Sequence, residues 1–230
     1  MITYLITGSD GVERRFDVDL DRGRPESAGA AEWTSLARHR CPHCPLSLDE
    51  SSVCPPAADL AEVVACFTDD SSIDRVDVRV ITDAREVTWS GDLQAALRSL
   101  VGLLMASSTC PVLAELKAPA RHHLPFATSA ETLYRVAGAY LLRQYFIARD
   151  GGEPDMALEG LRAIYDDLAL LNVHFARRLR SAVNQDAGVN ALASLFSLGH
   201  LVSFSLEDEL AELRQLFVNG PSQASGAKEP

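Results

Sequence analysis

The chain has no excess of basic residues. Its 21 Lys and Arg are outnumbered by 32 Asp and Glu, a formal net charge of −11 at pH 7. Phosphate recognition needs a concentrated basic surface, so a nucleic-acid partner is not expected. Nor is there an unbroken apolar run of about 18 residues or more, the length a bilayer-spanning helix requires. The start, Met1-Ile2-Thr3-Tyr4, lacks the basic stretch and apolar core of a secretory leader. Together these absences predict no membrane association and a cytoplasmic setting. The common catalytic signatures are missing too: no G-x-G-x-x-G, P-loop, H-E-x-x-H or G-x-S-x-G. Gly8-Ser9-Asp10-Gly11 places a serine between glycines, and a hairpin turn explains it. With 47% hydrophobic residues in 230, the chain nevertheless has ample material for a packed core and is not a disordered one.

Cysteine is scarce and odd in number: Cys41, Cys44, Cys54, Cys66 and Cys110. That count argues against a disulfide framework and for a reduced compartment. Four of the five precede proline, at Cys41-Pro42, Cys44-Pro45, Cys54-Pro55 and Cys110-Pro111. Proline holds its own φ and biases the residue before it toward extended geometry, so thiolates on such turns converge on a cation at low entropic cost. Cys66 instead sits in the apolar run Leu60, Val63, Val64, Phe67 and reads as a buried helical cysteine.

The candidate metal ligands are therefore Cys41, Cys44, Cys54 and Cys110. Tetrahedral Zn²⁺ with four sulfurs, or three sulfurs and an imidazole, fits this set best. An iron–sulfur cluster and a redox-active Cys41/Cys44 dithiol are the alternatives. The imidazole candidates are His39, His43, His122 and His123; His43 is nearest in sequence, although the middle of a C-x-x-C turn often points away from the metal. His122 and His123 follow Cys110 by about a dozen residues. His123 is the candidate to complete the metal sphere, or to act as a base beside a metal-bound water. A loop hydrogen bond is the plainer role for a histidine ahead of Leu124-Pro125.

The periodicities predict an α+β fold, with a small N-terminal antiparallel sheet of two hairpins packed against a mainly helical C-terminal half. Ile2 to Thr7 and Val12 to Leu20 form the first hairpin, with Arg14, Phe16, Val18 and Leu20 on one face. Val76 to Ile81 and Arg85 to Trp89 form the second, joined at Thr82-Asp83-Ala84. Helices are expected from Pro55, after Asp92, behind the capping box Thr128–Glu131, and from Pro154. The last of these carries the seam Leu158, Leu161, Tyr165, Leu168, Asn172, Phe175, Leu179, with Asn172 fixing register. Arg177, Arg178 and Arg180 read as cations complementing that helix's C-terminal dipole. His174 and His200 read as core or rim residues. Further helices carry Val189, Leu192, Leu195 and Phe196, then Leu210, Leu213 and Phe217. Residues 1–219 are expected as one domain, hairpins and cysteine loop over 1–90 and helices over 91–219, with 220–230 a disordered tail.

The segments Cys41-Pro42-His43-Cys44-Pro45-Leu46, Cys54-Pro55, Ser108-Thr109-Cys110-Pro111 and His123-Leu124-Pro125-Phe126 resemble those of a family of uncharacterised bacterial proteins. The likeness covers about residues 41 to 200. It implies a shared domain and groups Cys110 with the upstream cysteines, and it favours His123 over His122; it carries no activity. The function expected is a metal-stabilised binding or regulatory module, its partner an unknown protein or small molecule. The alternatives are a metalloenzyme with His123 near an open coordination position, and an iron–sulfur or thiol redox sensor. The helical seam serves internal packing first and leaves a homodimer open.

Overall fold

The structure, a computed structural model, describes residues 1–25, 31–67, 70–182 and 206–218. Four strands, β1 (Ile2–Thr7), β2 (Glu13–Val18), β3 (Arg75–Ile81) and β4 (Glu86–Asp92), form one antiparallel sheet of order β2-β1-β3-β4. The two hairpins are thus joined through β1 and β3 at the centre. In register, Tyr4 lies between Phe16 and Val80, and Ile6 lies beside Val78. These side chains and Ile2, Val18 and Val76 are buried, the period-two pattern of a sheet with one covered face. The opposite face is charged, with Arg15 on Asp17 at 2.9 Å and Arg79 on Glu86 at 2.7 Å. Leu5 is buried on that face because Arg15 and Arg79 flank it in register, where their aliphatic stems can cover it.

Helix α3 (Leu93–Ala106) covers the inner face, burying Leu93, Ala96, Leu97, Leu100 and Leu104 at helical spacing. Asp92 precedes it without capping it, and faces Arg75 at 3.4 Å instead. The short helices α1 (Pro55–Asp59) and α2 (Ala61–Cys66) break at Leu60, and they bury Leu60, Val63 and Val64 in the same core. Cys66, expected to be buried, is exposed. Leu60, Val63, Val64 and Phe67 follow at the i, i+3, i+4, i+7 spacing of one helix face, which leaves Cys66 on the other.

Pro111–Leu116 is a 3-10 segment leading into α4 (Lys117–Arg121). Helix α5 (Ser129–Arg149) begins at the expected capping box of Thr128 and Glu131. Helix α6 (Glu159–Arg180) starts later than Pro154 predicts. The Asp155 carboxylate accepts from Gly160 N and Tyr140 Oη, each at 2.8 Å, which holds the intervening residues as a turn. The C-terminal end of α6 joins the sheet core through Leu171, Phe175 and Leu179. Its start builds a second cluster in which Leu161 and Tyr165 meet Leu133 and Ala137, with Leu210 and Leu213 of α7 (Leu206–Val218) against them. Among the described residues no single helix is long and apolar enough to cross a membrane. The helix expected around Val189 to Phe196, His200 and the expected tail lie outside the described residues.

Gly91 is buried on β4, and a Cβ there would strike the indole of Trp89, which stacks on Phe126 at 4.5 Å between ring centroids. Gly91→Ala is expected to cost about 1–3 kcal/mol, lowering Tm by several degrees in a thermal melt. An unchanged melt would show that the indole moves aside freely.

Candidate functional site

The cysteine loop is held by backbone and by one arginine rather than by regular structure. Leu36 N donates to Ser52 O and Cys54 N to Thr34 O, both at 2.8 Å, pinning the two ends of the loop together. Cys44 N donates to Cys41 O at 3.1 Å, closing the C-x-x-C turn. Arg40 Nη2 donates to Cys44 O at 3.1 Å and also to Leu46 O, strapping the far arm of the turn. Cys54 and Cys110 each occupy the residue before a helix whose first position is proline, with extended backbone at φ −75° and −66°. Proline imposes that geometry on the cysteine and starts the helix after it.

Cys41, Cys44, Cys54 and Cys110 all line one cavity of about 20 Å³. That is room for about one water-sized sphere. Leu171, Phe175 and Arg178 of α6 complete its wall with Val112 and Leu46. All five cysteines are free thiols. Burial pushes the Cys41 thiol up to about 11, with Cys44 and Cys110 adding to it. Burial likewise pushes Cys54 up to about 12, where the Arg178 charge opposes it. Among the described residues no three His, Cys, Asp or Glu already stand in the array that would hold a metal ion.

Arg178 is the functional residue that the sequence reading missed. It was expected as one of three surface cations, yet it is only 1% exposed. Its Nη1 donates to Trp33 O at 3.0 Å and to Ser35 O. No carboxylate lies within ion-pair distance of it among the described residues. Burial lowers its pKa and the Cys54, Cys41 and Cys44 thiols raise it, so its charge faces sulfur. A signal was present: Leu171, Phe175 and Arg178 follow at spacings of four and three, which puts the arginine on the buried stripe. Arg177 and Arg180 are exposed, as expected of helix-end cations, and Asn172 is half-buried.

The histidines fall elsewhere. His43 does not line the cysteine cavity, and both its ring nitrogens are buried without a hydrogen-bond partner. His123, the candidate fifth ligand, lies away from the cysteines and lines a second, larger cavity. Its Nε2 is 2.5 Å from Tyr4 Oη, which is 2.7 Å from Ser99 Oγ. Phe126 N donates to that same Ser99 Oγ at 3.1 Å. Tyr4 is fully buried, and burial holds its phenol protonated. The loop between α4 and α5 is thereby tied to the first strand, which is what removes His123 from the cysteines. Burial, helped by the Arg135 charge, pulls the imidazole down to about 4, so it is neutral at pH 7. Tyr4 Oη can donate to Nε2 or accept from it, and either tautomer continues the chain to Ser99.

A family model described as a domain of unknown function, DUF6901, matches residues 2–218, and the chain belongs to that family. No curated protein and no solved structure matches the chain.

The neutral imidazole makes the fold acid-sensitive. Its native pKa of about 4 lies below the ordinary 6.5. The unfolded chain therefore binds a proton that the native state refuses. The stabilisation is complete above 6.5 and is lost as pH falls toward 4, about 3 kcal/mol in all. Thermal melts at pH 7 and pH 4.5 are expected to show a smaller acid loss for His123→Gln than for the natural chain. Equal losses would mean that the imidazole is not held neutral.

Proposed function

We propose that this member of the DUF6901 family is a binding module clipped by one structural Zn²⁺ at Cys41, Cys44, Cys54 and Cys110. The observation that carries the reading is the meeting of these thiols, from three separate stretches of chain, at one ion-sized cavity beside a buried guanidinium. A buried cation without a carboxylate is costly unless something anionic offsets it. Four thiolates around one Zn²⁺ leave an excess of negative charge, and Arg178 is placed to balance part of it. A four-iron cluster with its sulfides needs several times the room available, so the single ion is favoured. A wall of Leu46, Val112, Leu171 and Phe175 leaves little space for substrate or water beside the ion, which favours a structural over a catalytic metal.

What the ion holds together is informative. Residues 35–54 bring little regular structure of their own, and Cys110 lies at the junction of α3 and the 3-10 segment. One ion across these parts restrains a long loop against the helical half, the role of a structural zinc in a segment that cannot pack alone.

Elemental analysis of the purified protein is expected to yield about one zinc per chain. Stripping the metal with chelator, or the Cys110→Ser substitution, should cost on the order of 3–5 kcal/mol, about 10 °C in Tm. The protein should be colourless when purified without oxygen. A chain free of metal whose melting is indifferent to chelator would remove the clip.

A further inference from the structure

The second cavity, of about 620 Å³, opens where the sheet core and the smaller helical cluster fail to meet. Trp89, Leu103 and Phe126 wall it from the core side, and Leu133, Val136 and Tyr165 from the other. Its size lies within the range of small-molecule sites, about 300–1,000 Å³, and its surface is mainly apolar.

The charge of this cavity runs against that of the protein. The chain carries a net charge of −11. Yet Arg98 and Arg135 line the cavity, and among the described residues no aspartate or glutamate does. Arg98 forms no ion pair among the described residues. Arg135 Nη2 donates to Pro119 O at 2.6 Å, while its Nε is buried with no acceptor. The nearest carboxylate along the helix, Glu131, is engaged by Thr128 N at 2.8 Å and Thr128 Oγ1 at 3.0 Å. Guanidinium groups on a mainly apolar wall form strong charge-assisted hydrogen bonds to an anionic acceptor. His123 lines the same wall, its Nε2 held by Tyr4.

We propose that this cavity binds a small molecule with an apolar body and one carboxylate. The carboxylate is received by Arg135 and Arg98 beside His123, and the body lies against Trp89, Phe126 and Leu133. The assignment supplies the ligand class for the binding module proposed above. It rests on that reading only in calling the module a binder, and it uses none of the cysteines.

Gly102 gives a clean way to close the cavity. It lies on α3, lines the cavity, and a Cβ there meets nothing within 4 Å. Gly102→Leu therefore fills ligand space while replacing a poor helix former with a good one, so the fold is expected to melt no lower. The probes are 4-phenylbutyrate, the neutral 4-phenylbutanol and phenyl phosphate, titrated calorimetrically into the full-length, metal-replete protein. The carboxylate is expected to bind about tenfold or more tighter than the alcohol. Arg135→Gln should bring it down to the alcohol's affinity, and Gly102→Leu should abolish binding of both. Arg98→Gln, at an exposed position that leaves the core untouched, should weaken the carboxylate by about threefold or more and guards against misfolding of the Arg135 variant. Equal affinity for carboxylate and alcohol, binding that survives Gly102→Leu, or no binding of any probe at millimolar concentration would overturn the proposal. A clear preference for phenyl phosphate would overturn the carboxylate assignment. The zinc reading is decided by metal content and this one by calorimetry, so either can fail while the other stands.

Discussion

The guanidinium of Arg178, buried in α6 and donating to the carbonyls of Trp33 and Ser35, links the helical half to a loop that has almost no hydrogen-bonded ladder of its own. Those carbonyls bracket the point where Cys54 N returns to Thr34 O, so one side chain organises both ends of the cysteine loop. A charge in such a position is sustained only where dipoles and anions converge on it. The Trp33 and Ser35 carbonyls supply the dipoles, and thiolates bound to the proposed zinc would supply the anions. On that reading the ion and the buried arginine would be two parts of one electrostatic arrangement.

The two cavities divide the molecule's polar resources in opposite ways. The cysteine cavity is small and closed, and a buried cation faces its sulfurs. The larger one is open and apolar, with cations on its wall and no carboxylate to meet them. The chain of Ser99, Tyr4 and His123 runs from helix through strand to loop and belongs only to the second. On the two proposals, the metal would serve as support and ligand recognition would lie at the junction of the sheet core with the smaller helical cluster. The family match extends over both features, from residue 2 to 218.

Much of the local structure was legible. The alternation of β2 and β3, the capping box at Thr128 and the helical spacing in α3 and α6 follow from interactions within a few residues. The proline after each of Cys54 and Cys110 was legible as stiffness, and the backbone there is extended. Cys66 is exposed because the i, i+3, i+4, i+7 spacing of Leu60, Val63, Val64 and Phe67 puts it on the opposite helix face, so lying within an apolar run does not bury it. His123, the histidine that the resemblance favours, makes a hydrogen bond to Tyr4, 119 residues earlier, and lines the larger cavity, a contact that spacing along the chain does not reveal.

The sequence by itself determined the α+β class, the alternation of the strands, the start of α5 at its capping box and the helical stripes of α3 and α6. Each of those follows from short-range sterics and the need to bury every third or fourth apolar side chain. Only the tertiary structure decided which cysteines share a cavity, that Arg178 is buried while Arg177 and Arg180 are not, and that Arg98 and Arg135 face a void without a carboxylate. Those outcomes depend on how distant elements dock. Desolvation and charge pairing act through space, and spacing along the chain carries little trace of them.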